Sequence, residues 1–192
     1  PRSFKADVKL HDHQTEGVAR LQSLFAASPA YCRGVLLADD MGLGKTIQVL
    51  TFIAAEFERD PTLAPVIIVA PVSLLENWKQ EIGAFFQPGT FRVLTAYGDD
   101  LFKIRIPRES IDEELRNEGL VRFLKDGWRK DAQIVLTTYE TLRDLEFSFA
   151  REPWSILVCD EAQKIKNPNA MVTRAAKKLN VRFRVACTGT PV

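Results

Sequence analysis

One eight-residue segment, Asp-Asp-Met-Gly-Leu-Gly-Lys-Thr at positions 39–46, has the composition of a phosphate-binding loop. Such a loop needs small residues that let backbone N–H groups surround phosphate oxygens, a lysine as a mobile cation, and a Ser or Thr hydroxyl for Mg²⁺. These groups are supplied by Gly42, Gly44, Lys45 and Thr46. Asp39 stands where the general pattern has its first glycine, so the match is incomplete. The structural alternative is a glycine turn that only happens to precede Lys-Thr.

Two acidic residues, Asp160 and Glu161, follow directly after the apolar segment Ile156–Cys159. Acids at the carboxyl end of a strand lie in the crevice where open α/β sheets bind ligands. A phosphate-loop enzyme needs one carboxylate for Mg²⁺ and a second group that orients water. We therefore expect Asp160 to serve the metal and Glu161 to act as base, in ATP or GTP hydrolysis.

These groups would be positioned by a predicted α/β fold, because short apolar segments alternate with longer helical patterns. The near-continuous apolar run Val66–Ala70 is typical of a strand covered on both faces. Six strands are predicted, at Val35–Ala38, Val66–Ala70, Arg92–Tyr97, Gln133–Thr138, Ile156–Cys159 and Arg184–Cys187. Most of the sheet should be parallel, with helices on both faces.

Three helices have recognisable starts or ends. The first is predicted from Lys45 to Pro61, and the last from an Asn167 cap with Pro168 at its first position. A second helix should open with a capping box formed by Ser73 and Glu76. Its apolar stripe predicts core packing rather than base stacking for the residues Leu75, Trp78, Ile82 and Phe85.

The charged stretch Gly98–Asp131 is the least regular part of the chain, and we interpret it as an insertion. Its apolar positions predict helical pieces around Ile111–Leu115 and Leu120–Lys125. A basic cluster near the end of the chain could face phosphates or be a solvated helix face, and the sequence does not separate the two. Its members are Arg174, Lys177, Lys178, Arg182 and Arg184.

The composition of the chain excludes several classes of protein. The 192 residues carry a formal net charge of +1, with 46% hydrophobic and 27% charged residues, which is ordinary for a globular domain. Three cysteines without a paired spacing favour a reducing compartment and buried thiols over a disulfide framework. No apolar run is long enough to cross a membrane, and no signal-type segment follows Pro1. We expect no membrane partner and no secretion.

Six segments, in order and spanning nearly the whole chain, resemble the first lobe of superfamily-two helicases, and among them the Swi/Snf-related DNA translocases. They are Leu10–Val18, Leu37–Thr46, Ala70–Trp78, Thr137–Glu140, Asp160–Asn167 and Thr188–Pro191. The acidic Asp39 is similar to this family's own form of the phosphate loop. The acidic box reads Asp-Glu-Ala-Gln, whereas many relatives carry histidine in the last position, at Gln163 here.

The resemblance implies a RecA-like P-loop domain over residues 1–192, which is the ATP-binding lobe of a two-lobed motor. ATP would be bound by Gln14, which would read the adenine, together with Asp40, Met41, Gly42, Leu43, Gly44, Lys45 and Thr46. Thr46 and Asp160 would hold Mg²⁺. Coupling between ATP and DNA would use Gln163, Thr188, Gly189 and Thr190, and Gln163 could hydrogen-bond to that last segment. DNA would meet Ser73, Asn77, Thr137, Thr138, Lys164 and Lys166.

The implied function is ATP-driven movement along double-stranded DNA, with a second RecA-like lobe of the same parent protein completing the site. The segment 1–192 alone would then be nearly inactive. Two alternatives remain open: an RNA helicase of the same superfamily, and a nucleotide-binding scaffold that does not hydrolyse ATP. The implied location is the bacterial cytoplasm, at the nucleoid, or the nucleus in a eukaryote.

Overall fold

A computed structural model describes residues 1–38, 44–107, 110, 113, 124–165, 167 and 170–189, with the backbone alone at position 164. The strands are β1 (Gly34–Leu37), β2 (Val66–Val69), β3 (Val93–Thr95), β4 (Ile134–Thr137), β5 (Pro153–Cys159) and β6 (Asn180–Cys187). The helices are α1 (Asp12–Ala26), α2 (Lys45–Arg59), α3 (Val72–Phe85), α4 (Gly98–Ile104), α5 (Tyr139–Asp144), α6 (Glu146–Ala150) and α7 (Met171–Lys178). A 3-10 helix covers Ala162–Ile165.

The six strands form one parallel sheet in the order β1-β6-β5-β2-β4-β3. Strand β2 is buried along its whole length, and its residues alternate between two hydrophobic clusters. Val66 and Ile68 pack on the side of α1, α2 and α3, whereas Ile67 and Val69 pack on the side of α5, α6 and α7. The predicted α/β class, with a parallel sheet and helices on both faces, is confirmed.

Each predicted strand is present with its ends within four residues of the prediction, but two predicted helix starts are wrong. Helix α3 begins at Val72 after Pro71, so Ser73 lies inside its first turn and does not cap it. Glu76 accepts a hydrogen bond from the Tyr97 hydroxyl instead, at 2.7 Å. Helix α7 begins at Met171 after Ala170, not at the predicted Asn167 cap.

The predicted insertion is described only in part. Helix α4 forms at its start, where the sequence indicated no helix. Most of the two helical pieces predicted at 111–115 and 120–125 lies outside the described residues. Leu124, at the end of the second piece, forms an isolated antiparallel bridge with Arg105 rather than a helical turn. Within the described ranges, no helix has both the length and the apolar character needed to cross a bilayer.

The predicted basic cluster does not form one patch. The guanidinium of Arg182 donates to the carbonyls of Phe25 and Ser28, whereas that of Arg184 donates to the Leu179 carbonyl at 3.0 Å. Lys178 pairs with Glu146 at 2.8 Å. These three cations therefore hold the ends of β6 and α7 to their neighbours. Arg174 and Lys177 are exposed, as expected for a solvated helix face.

Candidate nucleotide-binding site

The start of α2 lies where the sequence predicted a phosphate loop, directly after the end of β1. Gly44 caps this helix with φ of 76°, in the left-handed region that favours glycine. Lys45 and Thr46 form its first turn, where unsatisfied backbone N–H groups and the helix dipole favour an anion. The four other predicted loop residues, Asp40, Met41, Gly42 and Leu43, lie outside the described residues.

The side chain of Gln14 lies against this loop. Gln14 is 8% exposed, and its Oε1 accepts a hydrogen bond from the His11 backbone N–H at 3.0 Å. A Cβ atom at position 44 would lie 2.4 Å from Gln14 Nε2, and the left-handed backbone there would strain any residue other than glycine. The start of α1 therefore fixes the amide of Gln14 beside the phosphate loop. Its predicted contact with adenine stays a prediction.

Asp160 lies at the carboxyl end of β5, and three elements hold it. Its backbone N–H donates to the Val69 carbonyl at 2.9 Å, and its carbonyl accepts from the Tyr139 hydroxyl at 2.7 Å. In its carboxylate, Oδ2 accepts from the Trp78 indole Nε1 at 3.0 Å and Oδ1 accepts from the Glu161 N–H at 3.0 Å. The carboxylate therefore has a fixed orientation at this edge of the sheet.

Opposing effects act on the pKa values of the carboxyl groups at this edge of the sheet. Burial raises the pKa of Asp160, while the hydrogen bond from Trp78 and the positive charge of Lys45 act to lower it. The pKa of Glu81 is also raised, chiefly by burial, and the charge of Asp160 adds to this increase. The positive charge of Lys45 thus acts on Asp160 although the two residues are far apart in the sequence, as expected for a shared phosphate and metal site.

A chain of hydrogen bonds leads from Glu161 to the end of β6. The Gln163 side-chain Nε2 donates to Glu161 Oε2, and Gln163 Oε1 accepts from the Thr188 hydroxyl at 3.0 Å. The predicted hydrogen bond from Gln163 to the last segment is therefore present. Gly189 follows Thr188, and Thr190 lies outside the described residues. The role of this chain in coupling stays a prediction.

Glu161 itself has a left-handed backbone, with φ of 56°. This conformation is uncommon for a residue other than glycine, and residues that adopt it cluster at functional sites. The backbone enters it directly after the hydrogen bonds that hold Asp160. The side chains of the two adjacent acids have different partners: Asp160 accepts from Trp78, and Glu161 accepts from Gln163.

The residues predicted to contact DNA differ in how exposed their side chains are. Ser73 and Asn77 are exposed on α3, and Asn77 donates to Glu81 at 3.0 Å. The Thr137 side chain is fully buried and its hydroxyl donates to the Ala96 carbonyl at 2.9 Å, so a contact of this residue with DNA stays a prediction for its backbone. Thr138 is 5% exposed, and its hydroxyl caps α5 by accepting from the Thr141 N–H at 3.1 Å. Its side chain is therefore a poor candidate for DNA. The Lys164 side chain and Lys166 lie outside the described residues.

Sequence reasoning missed two groups that hold Asp160, namely Trp78 and Tyr139. Trp78 was assigned to the core from its helical spacing, and it is indeed 1% exposed. A buried indole N–H nevertheless needs a hydrogen-bond acceptor, so the burial of Trp78 predicts a polar partner in addition to its packing. Burial raises the pKa of Tyr139, so its hydroxyl stays protonated and remains a donor to the Asp160 carbonyl.

Comparison with known proteins agrees with this geometry. The family model of the SNF2-related domain matches residues 13–192. Zorya protein ZorD of Escherichia coli O139:H28 (strain E24377A / ETEC) is 55% identical over 192 residues, which are 100% of this chain and 18% of that protein. DNA excision repair protein ERCC-6-like 2 of Mus musculus is 33% identical over 205 residues, covering 94% of this chain and 12% of the mouse protein.

Solved structures give the same result. The Sulfolobus solfataricus SWI2/SNF2 ATPase core in complex with dsDNA superimposes with a TM-score of 0.71 and 30% identity, covering 96% of this chain and 32% of that one. The chain thus spans at most about a third of the length of these relatives. A nearly full-length family match, the parallel sheet and the paired nucleotide motifs all agree, and the chain belongs to the SNF2-related family.

Proposed function

We propose that residues 1–192 are the ATP-binding first lobe of a motor that hydrolyses ATP and moves along double-stranded DNA. The observation that carries this proposal is the carboxylate of Asp160 at the carboxyl end of β5, oriented by Trp78 and by the Glu161 N–H, in the same domain as the Lys45 that begins α2 after the predicted phosphate loop. Glu161 is adjacent and is hydrogen-bonded through Gln163 to Thr188. A site that only held a nucleotide would not need this base or its link to another strand.

The residues of the chain divide the chemistry among them. The N-terminus of α2 and Lys45 bind the phosphates through N–H groups and positive charge. Glu161 accepts a proton from the attacking water, and the amide of Gln163 holds this carboxylate in place. Gln14 faces the base of the nucleotide, and its amide can favour adenine by its hydrogen-bonding pattern.

Mg²⁺ fits the donor set of this site. The ion prefers oxygen ligands, keeps several waters, and is usually bound through one or two carboxylates together with substrate phosphates. The Thr46 hydroxyl and the oriented Asp160 carboxylate would hold it here. When bound, the ion neutralises the charge that develops on the phosphates.

The proposed partners are duplex DNA and a second RecA-like lobe of the same parent protein, with residues 98–131 as an insertion in the first lobe. DNA is favoured over RNA because a relative of similar fold was solved with dsDNA and another carries DNA excision repair in its name. Exposed Ser73 and Asn77 on α3 are the described residues best placed for a backbone contact. Such a motor would work at the nucleoid of a bacterium or in the nucleus of a eukaryote.

We expect ATP hydrolysis by the full-length protein to be stimulated at least about ten-fold by duplex DNA, because contacts to phosphates close the site around the nucleotide. The measurement compares phosphate release with no polynucleotide, with duplex DNA, and with RNA of the same sequence. Stimulation by RNA alone would favour the RNA helicase hypothesis. Nucleotide binding without hydrolysis under any condition would favour the scaffold.

The link from Glu161 to β6 predicts a coupling defect. Thr188→Val in the full-length protein removes the hydroxyl that donates to Gln163 but keeps the size of the side chain. A neutral hydrogen bond contributes about 0.5–1.5 kcal/mol, so the DNA-stimulated rate should fall by about two- to ten-fold while ATP affinity is retained. Initial rates with and without duplex DNA measure this effect.

Thr51→Val is the matched control for this variant. Thr51 is 2% exposed in α2, and its hydroxyl has no hydrogen-bond partner within the described part of the chain. The same chemical change should therefore leave DNA stimulation intact. Equal stimulation of the Thr188→Val protein and the wild type would contradict the coupling role.

A further inference from the structure

Trp78 makes an unusual hydrogen bond for a tryptophan of the hydrophobic core. Its ring belongs to the cluster below α3 and is 1% exposed, yet its Nε1 donates to a carboxylate, Oδ2 of Asp160, at 3.0 Å. Trp154, 2% exposed, shows the more ordinary arrangement, with its Nε1 donating to the Phe149 carbonyl at 2.9 Å. A hydrogen bond to a charged group is stronger than one between neutral groups, so the Trp78 bond is a strong orienting contact.

The contacts of Asp160 leave its carboxylate little freedom. The Glu161 N–H holds Oδ1, the Trp78 indole holds Oδ2, and the Tyr139 hydroxyl holds the backbone carbonyl. Each carboxylate oxygen has two lone-pair sites, and each of these two side-chain contacts uses one of them. Trp78 reaches the carboxylate from outside the acidic segment. Without it, the carboxylate could rotate about its side-chain torsions.

We propose that Trp78 is a positioning residue that holds Asp160 in the orientation required for binding Mg²⁺ together with ATP. This inference rests on the proposed function. It assigns to α3 a role in the metal site besides its packing, through a residue that is buried in the core. Partners of this kind, which orient a metal-binding group, typically change metal affinity by about 10- to 100-fold when removed.

The test is Trp78→Phe in the full-length protein, which keeps an aromatic ring and removes the N–H donor. ATP binding is titrated at increasing Mg²⁺ and also in EDTA. The Mg²⁺ concentration for half-maximal binding should rise by at least about ten-fold, while the affinity for ATP in EDTA stays unchanged. Trp154→Phe is the control, because it removes an equally buried indole donor far from Asp160 and should leave the Mg²⁺ dependence unchanged.

A double-mutant cycle with Asp160→Asn separates positioning from general packing. If Trp78 acts through the carboxylate, Trp78→Phe should add no further increase in the Mg²⁺ requirement once the carboxylate is gone. A second variant replaces Trp78 by benzothienylalanine, in which sulfur replaces the indole N–H and the ring keeps its shape. If Trp78→Phe does not fold, the Mg²⁺ titration of this second variant tests the inference.

The outcomes are distinct. Superimposable Mg²⁺ titrations of the wild type and the folded Trp78 variant would overturn the inference, as would fully additive effects in the double-mutant cycle. Failure of the wild-type protein itself to bind ATP in the presence of Mg²⁺ would instead overturn the proposed function. A ten-fold shift that disappears in the Asp160→Asn background supports both.

Discussion

Replacement of Glu161 by glutamine is expected to slow ATP hydrolysis by the full-length protein by about 10²- to 10⁴-fold, the usual contribution of a positioned general base. Glutamine has nearly the same shape and leaves Lys45 and Asp160 in place, so the variant should still bind ATP and retain it. Single-turnover hydrolysis and equilibrium binding of ATP, measured on the same preparation, separate the two effects.

Glu152→Gln is the matched control for this change. Glu152 forms an ion pair with Arg129 at 2.6 Å, away from the nucleotide site, so its replacement should leave turnover unchanged. Turnover of Glu161→Gln within a few-fold of the wild type would show that another group activates the water.

Loss of the Lys45 charge should weaken ATP binding by about 10- to 100-fold, because a charge-assisted hydrogen bond contributes about 1.5–3 kcal/mol. Lys45→Ala also removes the positive charge that lowers the pKa of Asp160, so both halves of the site lose a favourable interaction. Fluorescent ATP titration of the full-length protein measures the affinity, and circular dichroism checks that the fold is kept.

Lys103→Ala provides the comparison for a lysine outside the site. Lys103 is an exposed residue that pairs with Asp100, and its removal should not change ATP affinity. Equal affinities of the Lys45→Ala and wild-type proteins would refute the phosphate-loop assignment.

The order of apolar segments was enough to predict the sheet, because buried parallel strands have a continuous apolar pattern that few other structures share. Val66–Val69 and Ile156–Cys159 are the clearest cases. The nucleotide motifs could be predicted for the same reason, since each follows a strand. Local signals at helix starts were less reliable: the cap of α3 is Pro71, two residues before the Ser73 that opens the apparent capping box.

Tertiary contacts were not predictable from single segments. The family resemblance makes Thr137 a candidate for DNA contact, and only the pairing of β4 with β3 shows that its side chain is buried against Ala96. Trp78 looked like a core residue, and only the pairing of β2 with β5 places the Asp160 carboxylate within reach of its indole. Both outcomes depend on which strands are neighbours, and that order is set by the whole chain.

The position of β1 in the sheet has a consequence for how the domain is assembled. Among the described strands, β1 pairs only with β6, with Gly34 opposite Arg184. The first strand of the chain can therefore join the sheet only after the last strand is available for pairing. Closing so long a loop is entropically costly and slow. The phosphate loop extends from β1, which means that the nucleotide site cannot be completed on a nascent chain until β6 has been synthesised. A chain cut before residue 180 would keep every residue of that loop but leave the strand that precedes it without a paired strand in the sheet.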